Sequence, residues 1–348
     1  MRKLFCFILL LTIHVQGFAI GRDTLYHKAY QEICAMLDGQ APLSIKRAVY
    51  LAEWAYLDED LDYERDFCQE IRRIADYVNR VIAANHWEHY KTAKEFTLCN
   101  YFFRPCRGNG QRDYTYEYDG RYPAGDWHYQ LISRTLKTHQ GQCHSLPWAF
   151  RLIAEELGAK AYIAHAPRHC FIMYEDLDDH YPEDWVNVEL TSHQYVPTFW
   201  MKDFFCVSDS ALAAGTYLTP LSDQETVACQ LADLALGYYT KYQLYDDFIL
   251  QCASKSVEYY AANPTAIILM GNSLDDMLHA HLQQNGGYKD SMTDYYDFQL
   301  QQCRMMLDAT HWTQETPELR RKWNENNLQP KDVQILTKEQ YEEILKKK

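Results

Sequence analysis

The sequence predicts an α+β protein, with a small antiparallel sheet in the middle of the chain and helical regions at both ends. Three observations carry this. Phe67, Ile71, Ile74, Ala75, Val78, Val81 and Ile82 fall on one stripe with Arg72, Arg73, Asp76, Asn79 and Arg80 opposite, which is the 3.6-residue period of an amphipathic helix. Residues 145–191 run from a second such helix into three short strand-like stretches. Beyond residue 205 the helical period returns.

Composition sets the outer limits. Hydrophobic residues make up 47% of the 348 positions and charged ones 24%, an ordinary globular balance. At about 150 residues per unit the chain is long enough for two or three packed units. A formal charge of −14 argues against a nucleic-acid partner, which would require a basic face. Tyrosine is frequent, with 28 copies, which suits sugars, peptides or thick cores alike.

The N-terminus reads as a signal peptide over residues 1–19. Arg2 and Lys3 make a basic start, residues 4–15 are almost entirely apolar, and Gly17, Phe18 and Ala19 end the segment with small residues at the two positions that a signal peptidase reads. Cleavage after Ala19 would give a secreted or periplasmic chain beginning at Ile20. No other stretch reaches the roughly 18 apolar residues of a membrane span, so none is expected once the signal is removed.

The remaining chain divides into an N-terminal helical region (20–105), a central core (106–207) and a C-terminal helical region (208–348). Ser44, after Pro42, is placed to cap a helix running through Ala55, ahead of the striped helix described above. Residues 106–127 change character. Arg107, Gly108, Asn109, Gly110, the tyrosines at 114, 116 and 118, and the turn residues at 119–120 and 123–125 predict a loop or short hairpin, either a substrate lid or a surface insertion. Residues 145–157 form a helix with Leu146, Ala149, Phe150, Ile153 and Leu157 on one face, stopped by Gly158. Strand-like runs follow at 161–164, 169–174 and 185–191. Ser222 and Glu225 form a capping box for a helix to about Tyr242, and Asn263-Pro264 separates two further helical segments. Their spacing resembles tetratricopeptide repeats, although the small and large positions do not fall in register.

The chemistry concentrates in residues 141–191. Gly141-Gln142-Cys143 leads into the 145–157 helix, His169 opens a strand, and Trp185-Val-Asn187-Val-Glu189-Leu-Thr191 forms the next one. In order and spacing this resembles the transglutaminase-like, papain-type superfamily: Gly-x-Cys at a helix start, His on the following strand, and Trp-x-x-x-Asp-x-Thr on the one after. The resemblance implies a core in which the helix bearing the cysteine packs on a small antiparallel sheet. It also implies Cys143 as nucleophile, His169 as base and Glu189 as the orienting acid, with glutamate standing where the family usually has aspartate.

The residues support that chemistry on physical grounds. A cysteine at a helix start feels the positive end of the dipole, which favours thiolate, and an imidazole fixed by a third group can take its proton. Pro147 has no N–H to donate to the Cys143 carbonyl, so the regular helix should begin near Ser145 with Cys143 just ahead of it. Strand alternation places His169, Phe171 and Met173 on one face and Cys170, Ile172 and Tyr174 on the other. Asn187 and Glu189 share a polar face with Trp185 and Thr191, so either could orient His169. Gln142 is a supporting candidate. The backbone N–H of Cys143, with a donor from the region of Trp127, could hold an oxyanion.

Two function classes follow. One is an acyl-transfer enzyme acting on an amide of a protein or peptide through a thioester at Cys143, with water as acceptor (amidase or peptidase) or an amine (transglutaminase). The other is a catalytically idle module that uses the same fold to bind a peptide or cell-envelope partner. A zinc site from Cys143, His144, His165 and His169 is disfavoured, because Pro167 breaks the strand and no second paired motif completes a tetrahedral set. No phosphate-cradling glycine loop or nucleophile-elbow serine is present, and no cofactor is called for. Of the ten cysteines after Cys6, Cys143 is expected to be a free thiol and Cys99 with Cys106 the local disulfide.

Overall fold

The structure is a computed structural model and describes residues 24–118, 126–314, 317 and 321. The expected signal peptide and its cleavage site, and residues 119–125 of the Tyr-rich segment, lie outside the described residues. No helix among the described residues is long and apolar enough to cross a membrane.

Helices α1 (Thr24–Leu37) and α2 (Ile45–Tyr56) open the chain. Ser44 caps α2 as expected, its hydroxyl accepting from the Arg47 N–H at 3.1 Å. A π-helical turn, Tyr63–Cys68, runs straight into α3 (Gln69–Asn85), and the α3 stripe is buried at Ile71, Ile74, Ala75, Val78 and Ile82. Helix α4 (Ala93–Phe103) follows.

The segment after α4 departs from the expected hairpin. Thr115–Tyr116 (β1) pairs in parallel with Gln140–Gly141 (β2), the two residues just before the Gln142-Cys143 step. A short helix, α5 (Ile132–Thr138), lies between them. Its exposed first N–H groups are met by the buried Glu53 carboxylate, which accepts from Ile132 N and from Ser133 N and Oγ.

Helix α6 spans Ser145–Leu157 and starts where Pro147 requires. Its end is a glycine turn: Gly158 adopts φ +62°, and Ala159 N donates back to the Ala154 carbonyl at 2.9 Å. The strands β3 (Ala161–Ala166), β4 (His169–Glu175), β5 (Trp185–Glu189) and β6 (Gln194–Val196) form an antiparallel sheet in sequence order. This satisfies the α+β expectation: a four-stranded antiparallel sheet set among helices. One face carries Ile163, Cys170, Ile172, Tyr174, Val186 and Val188 into the main buried cluster, on which α6 packs. The other face carries Ala164, Phe171, Met173 and Val196 into a second cluster, covered by Met201 and Phe205 of α7 (Thr198–Phe205) and Ala211 of α8 (Asp209–Ala213). The face read from sequence as polar is therefore roofed. Asn187 and Glu189 lie on it and are buried.

The capping box at Ser222 and Glu225 opens α9 (Asp223–Tyr242), as expected. Helices α10 (Asp247–Tyr259), α11 (Pro264–Gln284) and α12 (Ser291–Ala309) then stack in succession. Helix α9 also packs against α1 and α2, with the Tyr26 ring meeting Tyr238 edge-on at 5.3 Å. The three sequence segments thus share one buried cluster.

Cys99 and Cys106 do not form the expected disulfide; none of the ten cysteines among the described residues is in a disulfide. The physical reason is direction. Cys99 is buried on α4 with the Tyr195 hydroxyl as its partner, whereas Cys106 meets the hydroxyl of Tyr77.

Candidate active site

The site forms where the N-terminal end of α6 meets the turn between β3 and β4. Gly141 fixes the approach to it. A methyl group at its Cα would come within 2.6 Å of Ser145 Oγ and 2.8 Å of Thr135 Oγ1, closer than real side chains come, so no larger residue fits without movement. The Ser145 hydroxyl accepts from Gln142 N at 3.0 Å, which turns the chain into the helix. Cys143 then sits half-buried, two residues before the regular helix begins, with its Sγ toward the Arg168 carbonyl at 4.0 Å.

Arg168 belongs to the two-residue turn Pro167-Arg168, which joins the β3 and β4 partners Ala166 and His169. Its φ of +57° swings the chain back so that His169 begins β4 directly beside the thiol. His169 is hydrogen-bonded to Glu189 and lies within electrostatic reach of Cys143. Its Nε2 is 2.5 Å from Glu189 Oε2, which leaves Nδ1 as the ring nitrogen for the thiol. The other Glu189 oxygen, Oε1, accepts from Thr191 N at 3.0 Å and Thr191 Oγ1 at 2.7 Å. A buried carboxylate with both oxygens engaged holds one orientation. The Phe205 ring stacks on the imidazole at 4.8 Å and closes its other side.

The charges follow from these contacts. Burial works against protonation of His169, but the Glu189 carboxylate and the nearby Cys143 outweigh it and push the imidazole up to about 10. Burial alone would raise Glu189; the imidazolium and the Thr191 donors reverse this and hold it below the usual carboxylate range. The pair is therefore an imidazolium and a carboxylate at neutral pH.

Sequence left two residues able to orient His169, and only Glu189 reaches it. Asn187 turns its amide away, donating to the Val196 carbonyl at 2.9 Å and to Thr198 Oγ1 at 3.0 Å, and so ties β5 to β6 and α7. Gln142 lies beside the thiol, with its side-chain amide 3.5 Å from the Glu117 carbonyl. The Trp127 indole packs on Tyr56 at 4.7 Å and against Gly237 of α9.

The histidines proposed for zinc are separated. His165 pairs with Cys170 across the β-hairpin and so lies on the opposite sheet face from His169, where it stacks on Tyr260. Among the described residues no group of three or more His, Cys, Asp or Glu side chains is placed to hold a metal ion.

Two neighbours make contacts that the sequence did not indicate. His144, beside the thiol, meets Asp233 of α9 at 3.6 Å. Tyr116, in β1, lies within electrostatic reach of both Cys143 and Glu189, and burial together with those groups pushes its phenol up to about 12. Both depend on contacts between distant segments, and no local pattern encodes either.

Compared with protein-family models, with curated proteins and with solved structures, the chain finds no match.

Proposed function

We propose that this protein is an exported, cysteine-dependent acyl-transfer enzyme with a transglutaminase-like core, acting on amide bonds of a protein or peptide. Cys143 is the nucleophile, His169 the acid–base group and Glu189 the residue that orients it. The observation that carries the reading is the position of His169, within electrostatic reach of the Cys143 thiol and bonded to a buried, doubly anchored carboxylate.

In the first half-reaction the thiol proton resides on His169 and the sulfur attacks the amide carbon. The tetrahedral intermediate collapses as His169 gives that proton to the departing amine, leaving a thioester. Having given up that proton, the imidazole is neutral and free to act as the base of the second half-reaction. It then takes a proton from water or from an acceptor amine, which attacks the thioester and releases the acyl group and the free thiol. The backbone N–H of Cys143 serves as a donor for the oxyanion.

The test is labelling of the folded protein with a peptide-like thiol electrophile across pH, followed by mapping of the modified site. Saturable labelling at Cys143 that is lost in His169→Ala supports the reading. Labelling that ignores Cys143, or that is indifferent to His169, removes the nucleophile and leaves the catalytically idle binding module as the better description.

A further inference from the structure

We propose that Tyr116 and Tyr118 form the wall of the acyl-donor subsite and select substrates carrying an aromatic, uncharged side chain beside the reacting amide; this rests on the reading of Cys143 as nucleophile.

The placement comes from the parallel pairing of β1 and β2. Tyr116 is the register partner of Gly141, and Glu117 N donates to the Gly141 carbonyl at 2.8 Å. The tyrosine segment therefore runs alongside the residues that lead into Cys143. Alternation along an extended chain turns Tyr116 and Tyr118 to one side and Glu117 to the other. Glu117 is anchored there. Its carboxylate is fully buried and takes a two-pronged contact from Arg134 at 2.5 and 2.7 Å. With the central residue clamped, the two flanking rings are held together, centroids 4.6 Å apart and tilted by 52°.

The outer ring is open. Tyr118 is 87% exposed, whereas the inner ring of Tyr116 is half-buried against the site. An uncovered aromatic ring leaning on a second one, next to a half-buried thiol, offers a tilted face on which a flat side chain can stack.

Charge decides between an aromatic and a cationic group, because both favour a ring face. Among the described residues the carboxylates around the two rings already have partners. Glu117 is taken by Arg134, Glu189 by His169, and Asp113 lies 3.8 Å from His193. Among the described residues, a cation would therefore gain the ring face alone. The Tyr116 phenol stays neutral at working pH. The wall is an uncharged one.

The experiment compares rates of Cys143 alkylation by chloromethyl ketones that differ only in the adjoining residue (phenylalanyl, glycyl or arginyl), with iodoacetamide as a control that has no side chain to place. On the native protein the phenylalanyl reagent should react about tenfold faster than the glycyl one, the scale of one aromatic pair. Tyr118→Ala should lose most of that preference and Tyr118→Phe should keep it, with the iodoacetamide rate unchanged in both. Alkylation of Cys143 with no phenylalanyl preference, a preference untouched by Tyr118→Ala, or a faster arginyl reagent would overturn the subsite while leaving the nucleophile standing. Failure of every reagent, iodoacetamide included, to modify Cys143 would overturn both.

Discussion

Asp233 reaches from α9 to within 3.6 Å of His144, so the residue next to Cys143 is met by a carboxylate from the far helical layer. Burial shapes both partners. It pushes His144 down to about 4 and Asp233 up to about 7, with the Gln230 amide, 2.7 Å away, partly opposing the rise. Between about pH 4 and 7 the contact is therefore between two neutral groups.

Asp233→Asn should change how stability depends on pH. A carboxyl whose folded-state value lies above its unfolded value of about 3.8 holds more protons folded than unfolded between the two, so stability falls as pH rises through that window and levels off above about 7. The asparagine variant escapes that loss. Its melting temperature relative to the native protein should improve from pH 4 to pH 7, as followed by thermal denaturation. A constant difference across that range would assign Asp233 no part in the pH response.

Cys143 should be alkylated faster at pH 6 to 7 than every other cysteine. The informative comparison is Cys206, which is exposed where Cys143 is only half-buried. Accessibility alone favours Cys206; a thiol sharing a proton with His169 favours Cys143. Mass-spectrometric mapping after brief treatment with iodoacetamide ranks them, and Cys206 ahead of Cys143 would count against the proposed chemistry.

Glu189→Gln and Asn187→Ala should separate activity from stability. The first removes the charge that keeps His169 protonated, and turnover should fall by about 10²–10⁴-fold, the usual share of acid–base catalysis. The second removes the donor to the Val196 carbonyl and the Thr198 hydroxyl and should cost about 1–3 kcal/mol with turnover largely kept. The ion pair also adds a pH signature. His169, raised, contributes fully below about 6.5 and loses its contribution as pH climbs toward 10. Glu189, lowered, contributes fully above about 4.5 and loses it on acidification. Denaturation curves of Glu189→Gln should thus differ most from the native protein between those two values.

Gly141→Ala should impair the site more than its size suggests. The added methyl would meet Ser145 Oγ, Thr135 Oγ1 and Leu146 Cγ at 2.6 to 3.1 Å, two of them on the helix that follows Cys143. We expect a loss of about 1–3 kcal/mol in stability, as for overpacking elsewhere, and slower alkylation of Cys143. An unchanged alkylation rate would show that the approach to the thiol tolerates a shift.

How much of this could be read from the chain depends on the range of each signal. Helix α6, its late start at Ser145 and its glycine stop follow from Pro147, Gly158 and a stripe of apolar residues, all local. The facing of β4 followed from alternation. The choice between Asn187 and Glu189 did not, because both point to the same face; only the positions of Val196 and Thr198 draw Asn187 away. The β1–β2 pairing is two residues long and parallel, too short for any periodic trace. The proximity of Cys99 and Cys106 in sequence suggested a bond that the inward turn of one thiol toward Tyr195 rules out.

The position of α9 bears on how the chain acquires its structure. α1 and α2 present apolar faces that α9 covers, and α9 lies nearly two hundred residues later. Made from the N-terminus, the chain carries those two faces without their α9 cover until α9 has emerged. Closing so long a loop is slow compared with forming the helices themselves, so final consolidation belongs to the end of synthesis. A truncated product ending after α8 would hold the whole Cys143–His169–Glu189 constellation and still lack the cover for α1 and α2, which makes it a substrate for chaperones and proteases.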